Sequence, residues 1–234
     1  MVYAVIAAGQ GSRLASEGVC LPKPLVDVGG EPLIGRMVRL MARQPDCERI
    51  EIVVNSHSRE VEVYLASLAG EFPLHVTVRD TPGSLHTLAA LVPMLGDGDA
   101  CVSTVDAVCL EEEFDSYLEA RRLSPRESDA FMAVTRYVDD EKPLYVATDS
   151  DGRITGYFDT PSDGADYVSG GMYILSREAR EYVDLCIEGG QTRMRDFQRS
   201  LVGAGLRVRA YEFSKIIDVD HAADIAVAEQ LTKK

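Results

Sequence analysis

The chain has 234 residues, 46% apolar and 26% charged, which suits one large globular domain with a substantial core. Acidic residues outnumber basic ones 38 to 24, a formal net charge of −14, so a broad basic face for nucleic acid or for an anionic membrane is excluded. The odd set Cys20, Cys47, Cys101, Cys109 and Cys186 contains no C-x-x-C. It fits neither a disulfide framework nor a zinc ribbon, and it predicts buried thiols in a reducing, cytoplasmic setting. The first residues read as neither a signal peptide nor a membrane span.

In chain order, VYAVIA (2–7) is a short β-branched run ended by glycine, the pattern of a buried strand. DVGGEPLI (27–34) reads as a turn and then a helix start, with Pro32 near the first turn. IEIVVN (50–55) and LHVTV (74–78) are two further strands. Between them a helix places Val61, Leu65 and Leu68 on one face. SLHTLAALVPML (84–95) is helical up to the neighbourhood of Pro93. ACVSTV (100–105) is a fourth strand, running into Asp106. This alternation predicts a mostly parallel sheet with helices on both faces and ligands at the carboxyl ends of its strands.

The second half is richer in strands. DAFMAVT, PLYVATD, GRITGYF, GMYILS and LRVRAYEF predict a mixed, partly antiparallel extension. EAREYVDLCIEGG and TRMRDFQRSLVGAG read as helices stopped by glycine. IIDVD is a short strand, and HAADIAVAEQL is a final helix. No linker separates the halves. The expectation is one domain over 1–234, with a nucleotide-binding lobe at about 1–110 and an acceptor-binding lobe at about 111–234.

AAGQGSRL (7–14) admits three readings. As a dinucleotide fingerprint it lacks the third glycine, with Leu14 in its place, and Asn55 stands where the second strand should end in an acid. As a bare strand-to-helix turn it needs only the conformational freedom of glycine. As a phosphate loop it has the required cations: Arg13 just past the glycines, and Lys23 fixed between Pro22 and Pro24.

AAGQGSRL followed by PKPLVDVGGEPLI closely resembles the signature of the nucleoside-triphosphate transferases that make nucleotide sugars and related activated head groups. The resemblance implies a Rossmann-like three-layer α/β/α fold with a mostly parallel central mixed sheet, that of the nucleotide-diphospho-sugar transferases. It also implies a nucleoside triphosphate and a phosphorylated small-molecule acceptor as partners, with Mg²⁺ as cofactor. Ala8, Gly9 and Gly11 would then border base and phosphates. Arg13 would grip the leaving pyrophosphate, and Lys23 would neutralise the α-phosphate and its attacker. Asp106 would hold the metal with a second acid from IIDVDHAADI, Asp220 in preference to Asp218. Strand alternation points both of those to the same side. Thr81, Gly83 and Ser84 in DTPGSLHTLAAL would line the base, and Gly170 and Gly171 in YVSGGMYIL would let the acceptor approach.

Read without the resemblance, Asp106 is a strand-end residue, while Asp220 and Ser84 are helix caps. The four histidines are read as non-ligands. One departure matters: the Glu-Lys-Pro expected just before YVSGGMYIL is replaced by GYFDTPS, and the Glu141-Lys142-Pro143 of this chain comes earlier. Lys215 or an arginine would have to substitute, or the acceptor would be a small head-group phosphate or phosphonate. A regulatory nucleotide-binding domain without catalysis is the other class in view.

Overall fold

The computed structural model describes residues 1–124, 127–138 and 141–233. The first strands are β1 (Val2–Ala7), β2 (Asp27–Val28), β3 (Glu31–Pro32), β4 (Arg49–Val54), β5 (Leu74–Val78), β6 (Ala100–Thr104) and β7 (Ala107–Val108). They are followed by β8 (Ala130–Thr135), β9 (Tyr145–Thr148), β10 (Ile154–Phe158), β11 (Tyr167–Leu175), β12 (Val208–Phe213) and β13 (Ile217–Asp218). The helices are α1 (Ser12–Ser16), α2 (Leu33–Ala42), α3 (Arg59–Leu68), α4 (Ser84–Leu91), α5 (Glu111–Leu123), α6 (Arg177–Glu188), α7 (Met194–Gly203) and α8 (Ala222–Thr232).

Nine strands form one sheet, in the order β10-β9-β11-β6-β1-β4-β5, with β8 on β11 and β12 on β8. β1 pairs in parallel with β4 and β6, and β4 with β5. β11 then runs antiparallel to β6, β8 and β9. The expected mixed sheet is therefore present, and it continues from the first half of the chain into the second.

Strand β1 shows why the fold has three layers. Tyr3, Val5 and Ala7 face one apolar cluster, with Leu33, Met37, Val61, Leu65, Phe114 and Leu231 from α2, α3, α5 and α8. Val2, Ala4 and Ile6 face another, with Leu85, Leu88, Val183 and Phe197 from α4, α6 and α7. A strand buried on both faces reads as a continuous apolar run, as VYAVIA does.

The least anticipated element is α5, since residues 107–128 carried no helical expectation. Its pattern is nonetheless amphipathic. Phe114, Tyr117, Leu118 and Arg121 are buried at helical spacing, and Glu111, Glu112 and Glu113 occupy the first turn, where acids favour the helix dipole. Glu111 is tied to Arg39 at 2.7 Å and also to Arg43. The cysteines are all free: Cys101, Cys109 and Cys186 are buried as expected, whereas Cys20 is exposed and Cys47 half-buried. Both lie in connecting segments outside the helices and strands, where Cys47 packs on the edge of the core and Cys20 faces solvent.

Tyr117 locks α5 to the sheet. Its ring stacks on Phe131 at 5.2 Å, and its hydroxyl donates to the Phe131 carbonyl at 2.6 Å. Tyr117→Phe keeps the ring and removes that donor, so it should cost about 1–3 kcal/mol. The check is a lower urea midpoint with an unchanged slope.

Candidate functional site

The carboxyl ends of β1, β4 and β6 open into a cleft of about 660 Å³. Its floor is the glycine loop. Gly11 sits at φ +60 before α1, and a Cβ there would lie 2.8 Å from Lys23 Cβ. Only glycine tolerates both the backbone and the contact. Asn55, the sole asparagine of the chain, supports this loop from β4. Its Nδ2 donates to the carbonyls of Ala8 and Gly9 at 3.3 Å each, and its Oδ1 accepts from the backbone N–H of His57 at 3.0 Å. The absence of an acid at this position thus has a structural purpose.

Lys23 lies in a short 3₁₀ turn, Lys23–Leu25, and its ammonium is largely buried. It bonds Asp106 and, at 2.5 Å, Asp220 Oδ1. Arg13 bonds the other oxygen of Asp220. Burial alone would push the Lys23 ammonium down, but Asp106 and Asp220 reverse this and hold it well above its ordinary value. Burial alone would push Asp106 up, and Lys23 pulls it below the usual carboxylate range. The glycine-loop cations and the two acids therefore meet, although Lys23 and Asp220 are 197 residues apart.

A hard divalent cation fits these residues. Asp106 Oδ1 is buried and accepts no well-formed hydrogen bond, so one carboxylate oxygen is left for another cation. No group of three or more His, Cys, Asp or Glu suited to a metal occurs among the described residues. One or two carboxylates completed by substrate phosphate oxygens and water is the habit of Mg²⁺.

Ala8, Gly9, Gly11, Thr81, Gly83 and Ser84 all line the cleft, together with Gln10, His57, Asp80, Thr87 and Thr104, which the sequence had not singled out. Thr81 Oγ1 lies 2.7 Å from Thr87 Oγ1, one helical turn into α4. Gly83 packs against the turn before α7, where a Cβ would come within 2.3 Å of the Thr192 carbonyl oxygen. Ser84 does not cap α4. Its hydroxyl accepts from the backbone N–H of Met194 at 3.0 Å, binding α4 to α7. Asp220 does not cap α8 either. That position belongs to His221, and Asp224 Oδ2 accepts the backbone N–H groups of Asp220 at 2.9 Å and His221 at 2.6 Å.

Beyond β6 a smaller recess is lined by Thr135, Tyr137, Pro143, Gly170, Asp218 and Asp224, among others. Asp218 and Asp220 thus border different spaces, because the chain turns between them, with Asp220 N–H donating to the Asp218 carbonyl at 2.9 Å. Gly170 and Gly171 lie where the β11 register shifts. A Cβ on Gly170 would meet Ile216 Cδ1 at 2.2 Å, and one on Gly171, at φ +73, would meet Thr104 Oγ1 at 2.6 Å. Lys215 lies against a wall of this recess, its ammonium 3.8 Å from the ring centre of Tyr137. The Glu-Lys-Pro segment, early in the sequence, is close in space. Pro143 lines the recess, and Glu141 Oε1 is 3.7 Å from His221 Nε2.

The family profile described as the MobA-like NTP transferase domain matches residues 3–196. The bifunctional protein GlmU of Dinoroseobacter shibae is 36% identical over 122 residues, 50% of this chain and 26% of the relative. The 2-aminoethylphosphonate cytidylyltransferase of Lancefieldella rimae is 30% identical over 112 residues, 46% of this chain and 44% of the relative. Each match spans less than half of the relative's length. The inositol-1-phosphate CTP transferase from T. maritima shares the fold at TM-score 0.82 and 18% identity, over 100% of this chain and 96% of the other. A UDP-glucose pyrophosphorylase complexed with UDP-glucose shares it at TM-score 0.79 and 19% identity, over 98% and 97%.

The buried cation between two acids sets a pH signature. Asp106 is held below its ordinary value of 3.8, so its stabilisation is present above that value and is lost as pH falls below it. In Lys23→Met the facing carboxylates repel, and one folded-state pKa rises above its unfolded value. Stability should then fall as pH rises through that range. Melting temperatures from pH 4 to 8, flat or rising for the wild type and falling for the variant, are the expected result.

Proposed function

The chain belongs to the MobA-like NTP transferase family, and from that premise we propose that it is a magnesium-dependent nucleotidyltransferase. It moves a nucleoside monophosphate from a nucleoside triphosphate to a sugar 1-phosphate, giving a nucleotide sugar and pyrophosphate. The observation that carries the reading is Lys23, held by Asp106 and Asp220 beside the glycine loop. An acceptor phosphate oxygen bonds to the α-phosphorus as the bond to the β-phosphate oxygen breaks, and its electron pair leaves on pyrophosphate. Such a reaction needs placement and charge neutralisation rather than a protein nucleophile. Arg13 takes the pyrophosphate and Lys23 the α-phosphate with its attacker, so both cations exchange carboxylate partners for phosphate oxygens. Asp106 and Asp220, or Asp218 in its stead, hold Mg²⁺, which supplies further neutralisation of the phosphates. The cleft walls from Ala8 to Gly11 and from Thr81 to Ser84 take the nucleotide, and Gly170 and Gly171 border the acceptor. The setting proposed is cytoplasmic, with all of residues 1–234 in one domain.

A second reading has a cytidylyltransferase acting on a small phosphorylated head group. What favours it is the recess, whose ionisable lining among the described residues is Asp218, Asp224 and Tyr137, two carboxylates against the one cation, Lys215, on the Tyr137 ring. That lining suits a head group carrying an ammonium better than a second anion. The named activity of the Lancefieldella rimae relative points the same way.

Pyrophosphate release decides among these. CTP, UTP, dTTP and GTP are crossed with hexose 1-phosphates, phosphocholine and 2-aminoethylphosphonate, all with Mg²⁺. Turnover is expected with one pairing, and Asp106→Asn should lower it about 10²–10³-fold, the scale for losing one preorganised charge contact. Nucleotide binding without turnover, unchanged in Asp106→Asn, would instead indicate a regulatory domain.

A further inference from the structure

Asp220 depends on contacts that catalysis would remove. Its carboxylate is fixed by Arg13 and Lys23, the two cations that the proposed reaction turns toward phosphate. Its backbone is held locally by Asp224, and Val219 beside it donates to the Asp106 carbonyl at 3.1 Å. Glu17, at the carboxyl end of α1, grips the same turn from across the chain. Its Oε2 accepts from the Ala222 N–H at 2.7 Å, and its Oε1 pairs with His221 Nδ1 at 2.5 Å. Neither contact touches a group that substrate would claim.

We propose that Glu17 is a positioning residue that holds the Asp220 turn against the glycine-loop segment while Arg13 and Lys23 are engaged by phosphate. The inference rests on Asp220 as a metal ligand. Glu17 acts through backbone and ring contacts one and two residues further on, as outer partners of metal-binding carboxylates do. It also meets the first N–H of α8, that of Ala222, which has no partner within the helix. The 13–17 segment thus carries both a reacting cation, Arg13, and the residue that fixes that cation's resting partner.

The test measures Mn²⁺ binding by electron paramagnetic resonance in the presence of UTP or CTP, whose phosphates engage Arg13 and Lys23, and the Mg²⁺ activation constant for pyrophosphate release. The proteins are wild type, Glu17→Ala, Glu17→Gln and Asp220→Asn. Glu17→Ala should raise both metal constants about tenfold, the lower end for such outer contacts. Glu17→Gln, which keeps an acceptor for Ala222, should fall between, with melting temperatures close to wild type. Unchanged metal constants in Glu17→Ala overturn the proposal and leave Glu17 as a surface ion pair. Should Glu17→Ala fail to fold, Glu17→Gln is judged by the same criterion. Asp220→Asn with wild-type Mn²⁺ binding would overturn the metal-ligand reading, and the role of Glu17 with it.

Discussion

The arrangement of the whole site depends on one buried ammonium shared by two carboxylates. Lys23 joins a turn near the amino terminus to the end of the central strand β6 and to the turn before the last helix. A cation removed from water is tolerated only if paired and hydrogen-bonded, so each of the three segments must be in place for the other two to be. The contact also reaches back to the glycine loop, since the Lys23 side chain fills the space a Cβ on Gly11 would need. Glycine and lysine, twelve residues apart in the sequence, are two halves of one packing contact. This resolves the apparent conflict between the proposed phosphate loop and a chain of net charge −14. The cations are local, and their resting partners are the acids that would otherwise repel phosphate.

The parallel core was legible because its strands are buried on both faces, and VYAVIA, IEIVVN and ACVSTV announce this by composition. The final helix, read from HAADIAVAEQL, is present as Ala222–Thr232. Residues 107–128 were not read, although Phe114, Tyr117 and Leu118 sit at helical spacing, because three leading glutamates and two trailing arginines mask the stripe. The two-residue strand β7 carries no local signal, whereas β13 falls within IIDVD, which reads as a short strand. Both exist because Ile217 and Asp218 meet Val108 and Ala107 across the fold.

The site was legible as a set of residue types and much less as a set of contacts. The glycines, Arg13, Lys23, Asp106 and Asp220 were identifiable from their motifs, and the structure brings the charged four together. Their pairing was not readable, since it is fixed by strand order in a sheet rather than by spacing. The two helix caps, offered only as the alternative to a functional role, are not formed, for the same reason. Ser84 and Asp220 have the right chemistry for a cap, yet a partner from a distant segment outcompetes the local N–H groups for each. Asn55 is the converse. It was noticed for the acid it replaces, whereas its role is to satisfy the carbonyls of a loop that has few other partners.

The proposed acceptor side follows from where the sheet changes direction. β6 is the last parallel neighbour of β1, and β11 beside it runs the other way. A register shift in β11 is accommodated there by two glycines, one of them at positive φ. A side chain at either position would collide with Ile216 or with Thr104. The bulge therefore withdraws side chains from the seam and leaves Asp218 beside Gly171, with a would-be Cβ only 3.6 Å from its Oδ1. Tyr173 closes the same seam. Its burial, with Asp218 and Asp106 nearby, pushes its phenol up and keeps it neutral. The strand that ends the parallel sheet is thus also the one that opens the recess, so the proposed acceptor side is tied to the mixed topology rather than to the glycine loop.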